Sequence, residues 1–157
     1  MKKRMNGRIS TFLVLGLVLT MVLMTVVNVN ARPVYSTMDL IKVPLGPPHP
    51  EWGPNTWSGT VSGDIDGNIY FYKTGGKLVG QANHFEEVWL ITDSQDNMLL
   101  MGTDKGVVSL KSFSYRMSGV VTGAAPQYES LIGRNMHMSG EIIFQTPPLA
   151  PGIFRVN

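Results

Sequence analysis

Trp57-Ser58-Gly59-Thr60-Val61, Met117-Ser118-Gly119-Val120-Val121 and Met138-Ser139-Gly140-Glu141-Ile142 are three versions of one phrase. Side chains alternate between the two faces of a β-strand, so each phrase separates into two sets. One set is apolar: Trp57, Val61 and Ile65; Tyr115, Met117 and Val121; Met136, Met138, Ile142 and Phe144. The other is largely polar: Ser58, Thr60, Ser62 and Asp64; Arg116, Ser118 and Thr122; His137, Ser139 and Glu141. Gly59, Gly119 and Gly140 fall on the apolar side every time. A glycine inside a strand weakens it, so its repetition on the core face implies a use. Strong coiling of a closing sheet is one use, and room for a bulky neighbour is another.

The surrounding chain supports an all-β reading. Short β-rich runs at 57–64, 68–73, 84–92, 98–103, 106–112, 115–123 and 136–144 are divided by Gly, Asp and Asn. Asp66-Gly67 has the chemistry of a tight hairpin turn, and Asp104-Lys105 before Gly106 reads as a second one. No run shows sustained helical periodicity. Several antiparallel strands with core-facing glycines predict a small closed or nearly closed barrel, with a two-sheet sandwich as the alternative. The phrases are unequally spaced, which excludes a solenoid repeat.

The expected organisation has four parts: a signal segment at 1–31, a Pro-rich linker at 32–56, the barrel at 57–146 and a Pro-rich tail at 147–157. Lys2, Lys3, Arg4 and Arg8 precede an uncharged, mostly apolar stretch at 11–27, which ends in Val29-Asn30-Ala31. That is the layout of a secretory signal helix, with an uncleaved anchor as the alternative. Either way the body of the protein is expected outside the cytoplasmic membrane, secreted or at the cell surface. The chain has no Cys, which fits a prokaryotic envelope protein better than a small disulfide-stapled secreted domain. Cleavage after Ala31 would leave Arg32 as the first residue, and mass spectrometry of the native protein reads this directly. Intact residues 1–31 in a membrane fraction would establish the anchor instead.

The formal charge of +2 belongs to the whole chain. Beyond residue 31 there are nine basic and eleven acidic residues, a net −2. No basic patch marks a nucleic-acid or anionic-lipid partner, and a membrane role is expected only through an uncleaved N-terminal segment.

The hairpin 63–71, the phrase Gly123-Ala124-Ala125-Pro126-Gln127-Tyr128, the run Leu131-Ile132-Gly133-Arg134 and the closing 138–142 strand resemble the allene oxide cyclase and dirigent group of eight-stranded barrels. The likeness covers about the last half of the chain and rests on glycine punctuation. It implies a barrel with an apolar cavity, and it transfers no catalytic position.

Candidate chemistry is sparse. Asp64-Ile65-Asp66-Gly67-Asn68 opens like a calcium loop, but Ile69 and Gly75 stand where such a loop needs Gly and an acid. A hairpin turn accounts for these residues better. His84 and His137 lie on separate expected strands, so Asp64, Asp66, His84 and His137 are only weak metal candidates and no cofactor is expected. In Met136-His137-Met138 the alternation places both Met side chains opposite the His, which argues against copper. Tyr70, Tyr72, Tyr115, Tyr128, Trp57 and Trp89 could fill the domain or line a ligand site. The expected function is a non-enzymatic binding or structural module for a small apolar ligand or an envelope component. The alternative is a barrel cyclase or isomerase with Glu87, Arg116 or Arg134 turned inward as catalytic groups.

Overall fold

A strand wall with one face buried and one face wet has two ways to hide its apolar side: pair with a second sheet, or curl onto itself. In the computed structural model, which describes residues 32–42 and 51–157, this chain curls. Eight antiparallel strands pair in sequence order and β1 closes on β8. They are β1 (Val34–Lys42), β2 (Asn55–Gly63), β3 (Gly67–Val79), β4 (Ala82–Thr92), β5 (Met98–Ser109), β6 (Ser114–Ala124), β7 (Asn135–Glu141) and β8 (Leu149–Val156). Closure leaves no free edge, and the sandwich alternative is excluded. The expected signal helix, the Ala31 cleavage site and the Gly46–Pro50 stretch lie outside the described residues.

Two boundaries differ from expectation. The segment read as linker supplies β1 and the start of β2, and the segment read as tail supplies β8. The partners that order them are non-local: Ser36 lies opposite Phe154, and Leu40 opposite Ala150. Each strand completes the wall and satisfies backbone groups that closure would otherwise leave unpaired. A third difference is Asp104-Lys105, which is not a turn. It lies in the middle of β5, with Asp104 opposite Glu87 on β4 and Gly119 on β6.

The inner face follows the expected alternation. Val61, Ile65, Met117, Val121, Met136 and Met138 are buried, joined by Met38, Phe71, Trp89, Ile91, Leu100 and Phe154. Trp89 and Phe154 meet edge to face at 5.4 Å between centroids. The core-facing glycines divide between the two anticipated uses. A Cβ on Gly106 would run into the Phe85 ring, so this glycine makes room for a ring, and one on Gly102 would meet both the Trp89 ring and the Val120 backbone oxygen. A Cβ on Gly59 or Gly119 would lie 1.9 Å from the backbone oxygen of Asp39 or Thr103. There the neighbouring strand itself has coiled into the space.

The barrel has unlike ends. The β2–β3, β4–β5 and β6–β7 connections gather at one of them. Leu131, from a 3-10 turn at Pro126–Leu131, and Ile65, from the β2–β3 turn, are buried there and close it. The β3–β4, β5–β6 and β7–β8 connections surround the other end, which the described residues leave open.

Candidate functional site

The open end leads into a cavity of about 550 Å³. Its walls are mainly apolar: Leu40, Trp57, Phe71, Phe85, Val108, Tyr115, Met117, Ile142 and Ala150 all contribute. These residues occupy inward positions on their strands, so the hydrophobic alternation that builds the core also builds the cavity. Phe113 and Phe144 flank the entrance with ring centroids 4.5 Å apart. Phe113 holds φ at 57°, a left-handed conformation rare for an aromatic residue.

Few polar groups reach this space, and they converge on one wall. Glu87 faces in from β4 and is 6% exposed. Thr56 sits at an irregularity of β2 between Asn55 and Trp57, and its hydroxyl donates to Glu87 Oε1 at 3.1 Å. Lys42 and Lys73 are the last inward positions of β1 and of the regular part of β3, with exposed side chains at the rim. Lys42 Nζ lies 5.0 Å from the centre of the Trp57 ring. Burial pushes the Glu87 carboxyl up to about 7, while the Thr56 hydrogen bond and the charges of Lys73 and Lys42 hold it back. Glu87 is therefore present in both protonation states near neutral pH.

Behind Glu87, directly across the β4–β5 ladder, stands Asp104. It is 4% exposed, and neither carboxyl oxygen finds a hydrogen-bond partner among the described residues. Burial raises it to about 8, with the Glu87 charge adding to the shift. Two adjacent buried carboxyls resist ionising together, so their titrations belong to the pair. Tyr115, also in the cavity wall, is raised by burial, and its hydroxyl reaches past β7 to share its proton between the Ala150 and Pro151 carbonyls of β8.

The other expected site residues lie elsewhere. Arg116 points outward from β6 and is exposed. Arg134 is at the closed end, where its Nε donates to the Asn157 carbonyl at 2.6 Å. Neither stands in the cavity wall with Glu87. The Asp64 and Asp66 carboxylates are spent on the β2–β3 turn. Asp64 accepts the Tyr35 amide, and Asp66 accepts the Gly63 amide and the Ser62 hydroxyl. Those bonds, the Gly63 amide foremost, lower the Asp66 carboxyl. His84 is exposed on the outer face of β4, and His137 on that of β7 makes a 3.2 Å hydrogen bond with the Ser118 hydroxyl. Among the described residues no three ligands converge as a metal site would need. Of the six aromatics, Trp57 and Tyr115 line the cavity and Trp89 lies in the core beneath it.

Asp104 was not anticipated, because Asp-Lys-Gly has the composition of a turn. The alternation Leu100, Gly102, Asp104, Gly106, Val108 carries the signal that it faces inward. Comparison with known proteins matches this chain to no family model, no curated protein and no solved structure.

Proposed function

We propose that this protein is an exported binding module whose barrel encloses one small, mostly apolar molecule. The observation that carries the reading is the cavity: about 550 Å³, open at one end among the described residues, mainly apolar, with the hydrogen-bonded Thr56–Glu87 pair set in its wall and Lys42, Lys73 and Asn83 nearer the rim. Binding sites for small organic molecules have this size and this ratio of apolar wall to oriented polar group. A ligand hydroxyl or carbonyl could hydrogen-bond to Glu87 in either of its protonation states, while the rest of the molecule leaves water.

Val108 lines the cavity from β5, and tryptophan in its place would fill the space without touching the outer wall. An apolar fluorescent dye such as anilinonaphthalene sulfonate should bind the parent protein saturably. Val108→Trp should bind it at least tenfold more weakly, with an unchanged far-ultraviolet circular dichroism spectrum. Equal binding by both would place the dye outside the cavity and remove the support for this reading.

The Glu87–Asp104 pair favours a second reading, an isomerase acting on a small apolar substrate, because a carboxyl that titrates near neutrality inside a cavity suits proton transfer. Nuclear magnetic resonance of the captured molecule, before and after incubation with the protein, separates the two, because an isomer keeps its mass but not its spectrum. A carrier releases its captured molecule unaltered, whereas an enzyme returns a changed structure, and Glu87→Gln abolishes that change.

A further inference from the structure

The linear sequence scatters its charges, and the barrel sorts them. At the open end and on the strand halves that lead to it, among the described residues, lie Lys42, Lys73, Lys77, Lys105, Lys111 and Arg116, set against Glu51, Glu86 and Glu141, with Lys105 paired to Glu86 at 2.8 Å. At the closed end lie Asp64, Asp66, Asp93, Asp96 and Glu129, set against Arg32, Arg134 and Arg155. A chain that is acidic beyond residue 31 therefore presents a cationic open end. Apolar side chains are sorted in the same sense. The exposed large hydrophobic residues are Tyr35, Ile41, Leu78, Val79, Met98, Leu110, Phe113, Ile132, Ile143, Phe144 and Ile153. Ile41, Leu78, Val79, Leu110, Phe113, Ile143 and Phe144 all belong to the open end, on or beside the strand connections there. Leu78 is 65% exposed and Phe144 64%, each at the tip of a different hairpin.

Exposed apolar groups gathered on one surface mark an interaction site, whereas scattered ones do not. Here they project from three hairpin tips around a hole, an arrangement of separate protruding groups suited to insertion between lipid chains. Lysines surround them. A bilayer with anionic headgroups offers both complements together: negative charge at the surface for the lysines, and acyl chains just beneath for the tips. We infer that the open end of the barrel docks onto an anionic lipid bilayer, with Leu78, Val79, Phe113, Ile143 and Phe144 entering the interface and Lys77 and Lys111 contacting the headgroups. The opening of the cavity then faces lipid. Docking follows from the surface alone and holds whether or not the cavity carries a ligand.

The chain has no Cys, so a single introduced thiol labels one position. Gln145→Cys reports the open end and Ser94→Cys the closed end, and both positions are exposed. Each full-length variant carries an environment-sensitive dye and is titrated with vesicles of phosphatidylcholine, with or without phosphatidylglycerol. The dye at 145 should shift to the blue on the anionic vesicles, at least tenfold more weakly on neutral ones and progressively less at high salt. The dye at 94 should stay unshifted. Leu78→Asp with Phe144→Asp should abolish the shift at 145, and Lys77→Glu with Lys111→Glu should weaken its lipid dependence at least tenfold. Equal shifts at both positions, or none at 145, would overturn the docking. So would a shift at 145 that needs only higher protein concentration and no vesicles, since a second copy would then cover the surface.

Discussion

Between pH 4 and pH 8 Asp104→Asn gains stability relative to the parent protein by an amount on the order of 5 kcal/mol. The reason is the unlike environment of this carboxyl in the two states. In the unfolded chain it ionises near the ordinary value of 3.8, while inside the barrel burial and the adjacent Glu87 charge raise it to about 8. Below pH 3.8 both states hold the proton and the group contributes no pH dependence. Between about 4 and 8 the unfolded state has released its proton and the folded state has not, so stability falls as pH rises, by up to roughly 1.4 kcal/mol per pH unit. Above 8 both states are ionised and the loss is complete. Glu87 adds a loss of the same sign between its ordinary 4.5 and about 7. Urea denaturation across this range should give a falling curve for the parent and a clearly flatter one for Asp104→Asn. Comparing each protein with itself at two pH values cancels the cost of burying an amide. Because the carboxyls are neighbours, Asp104→Asn combined with Glu87→Gln should gain less than the sum of the two. An unaltered slope in Asp104→Asn would show that Asp104 ionises freely and is not enclosed.

Gly119→Val destabilises the barrel by about 3 kcal/mol, which lowers the melting temperature by roughly 10 °C. The obstacle is backbone. A Cβ at this position would lie 1.9 Å from the Thr103 carbonyl oxygen and 2.7 Å from the Asp104 Cα, so the β5–β6 pairing has to open. Most of the loss should already appear in Gly119→Ala, because the clash begins at Cβ and not at the branch. Gly75→Ala is the matched control. Its nearest neighbour would be the flexible Glu86 carboxylate at 3.5 Å, and its effect should stay within about 0.5 kcal/mol. Thermal unfolding of the three variants measures this. A melting temperature in Gly119→Ala equal to that of the parent would mean that β5 and β6 separate there at no cost.

The sequence by itself determined most of the inward face, although not Asp104, and it put Phe144, which is exposed at the rim, on that face. Period-two alternation around Gly59, Gly119 and Gly140 is a local property of an extended chain, and it assigned Val61, Met117, Val121, Met136 and Met138 to the core before any strand had a partner. Of Glu87, Arg116 and Arg134, the inward groups of the alternative enzyme reading, the cavity wall contains Glu87 alone. What the sequence left undecided is non-local. Val34–Lys42 and Leu149–Val156 both alternate, but prolines flank or interrupt them, and their strand character comes from pairing with each other across more than a hundred residues. Asp104 looks like a turn residue until Glu87 and Gly119 are known to stand on either side of it. Pairing of β4 with β5 brings the two carboxyls together, and closure of the sheet leaves the space beside Glu87 unfilled and removes it from water. Closure also gathers four lysines from three separate stretches of chain around one opening. Burial and electrostatic potential are sums over neighbours, and in this barrel nearly all of those neighbours are distant in sequence.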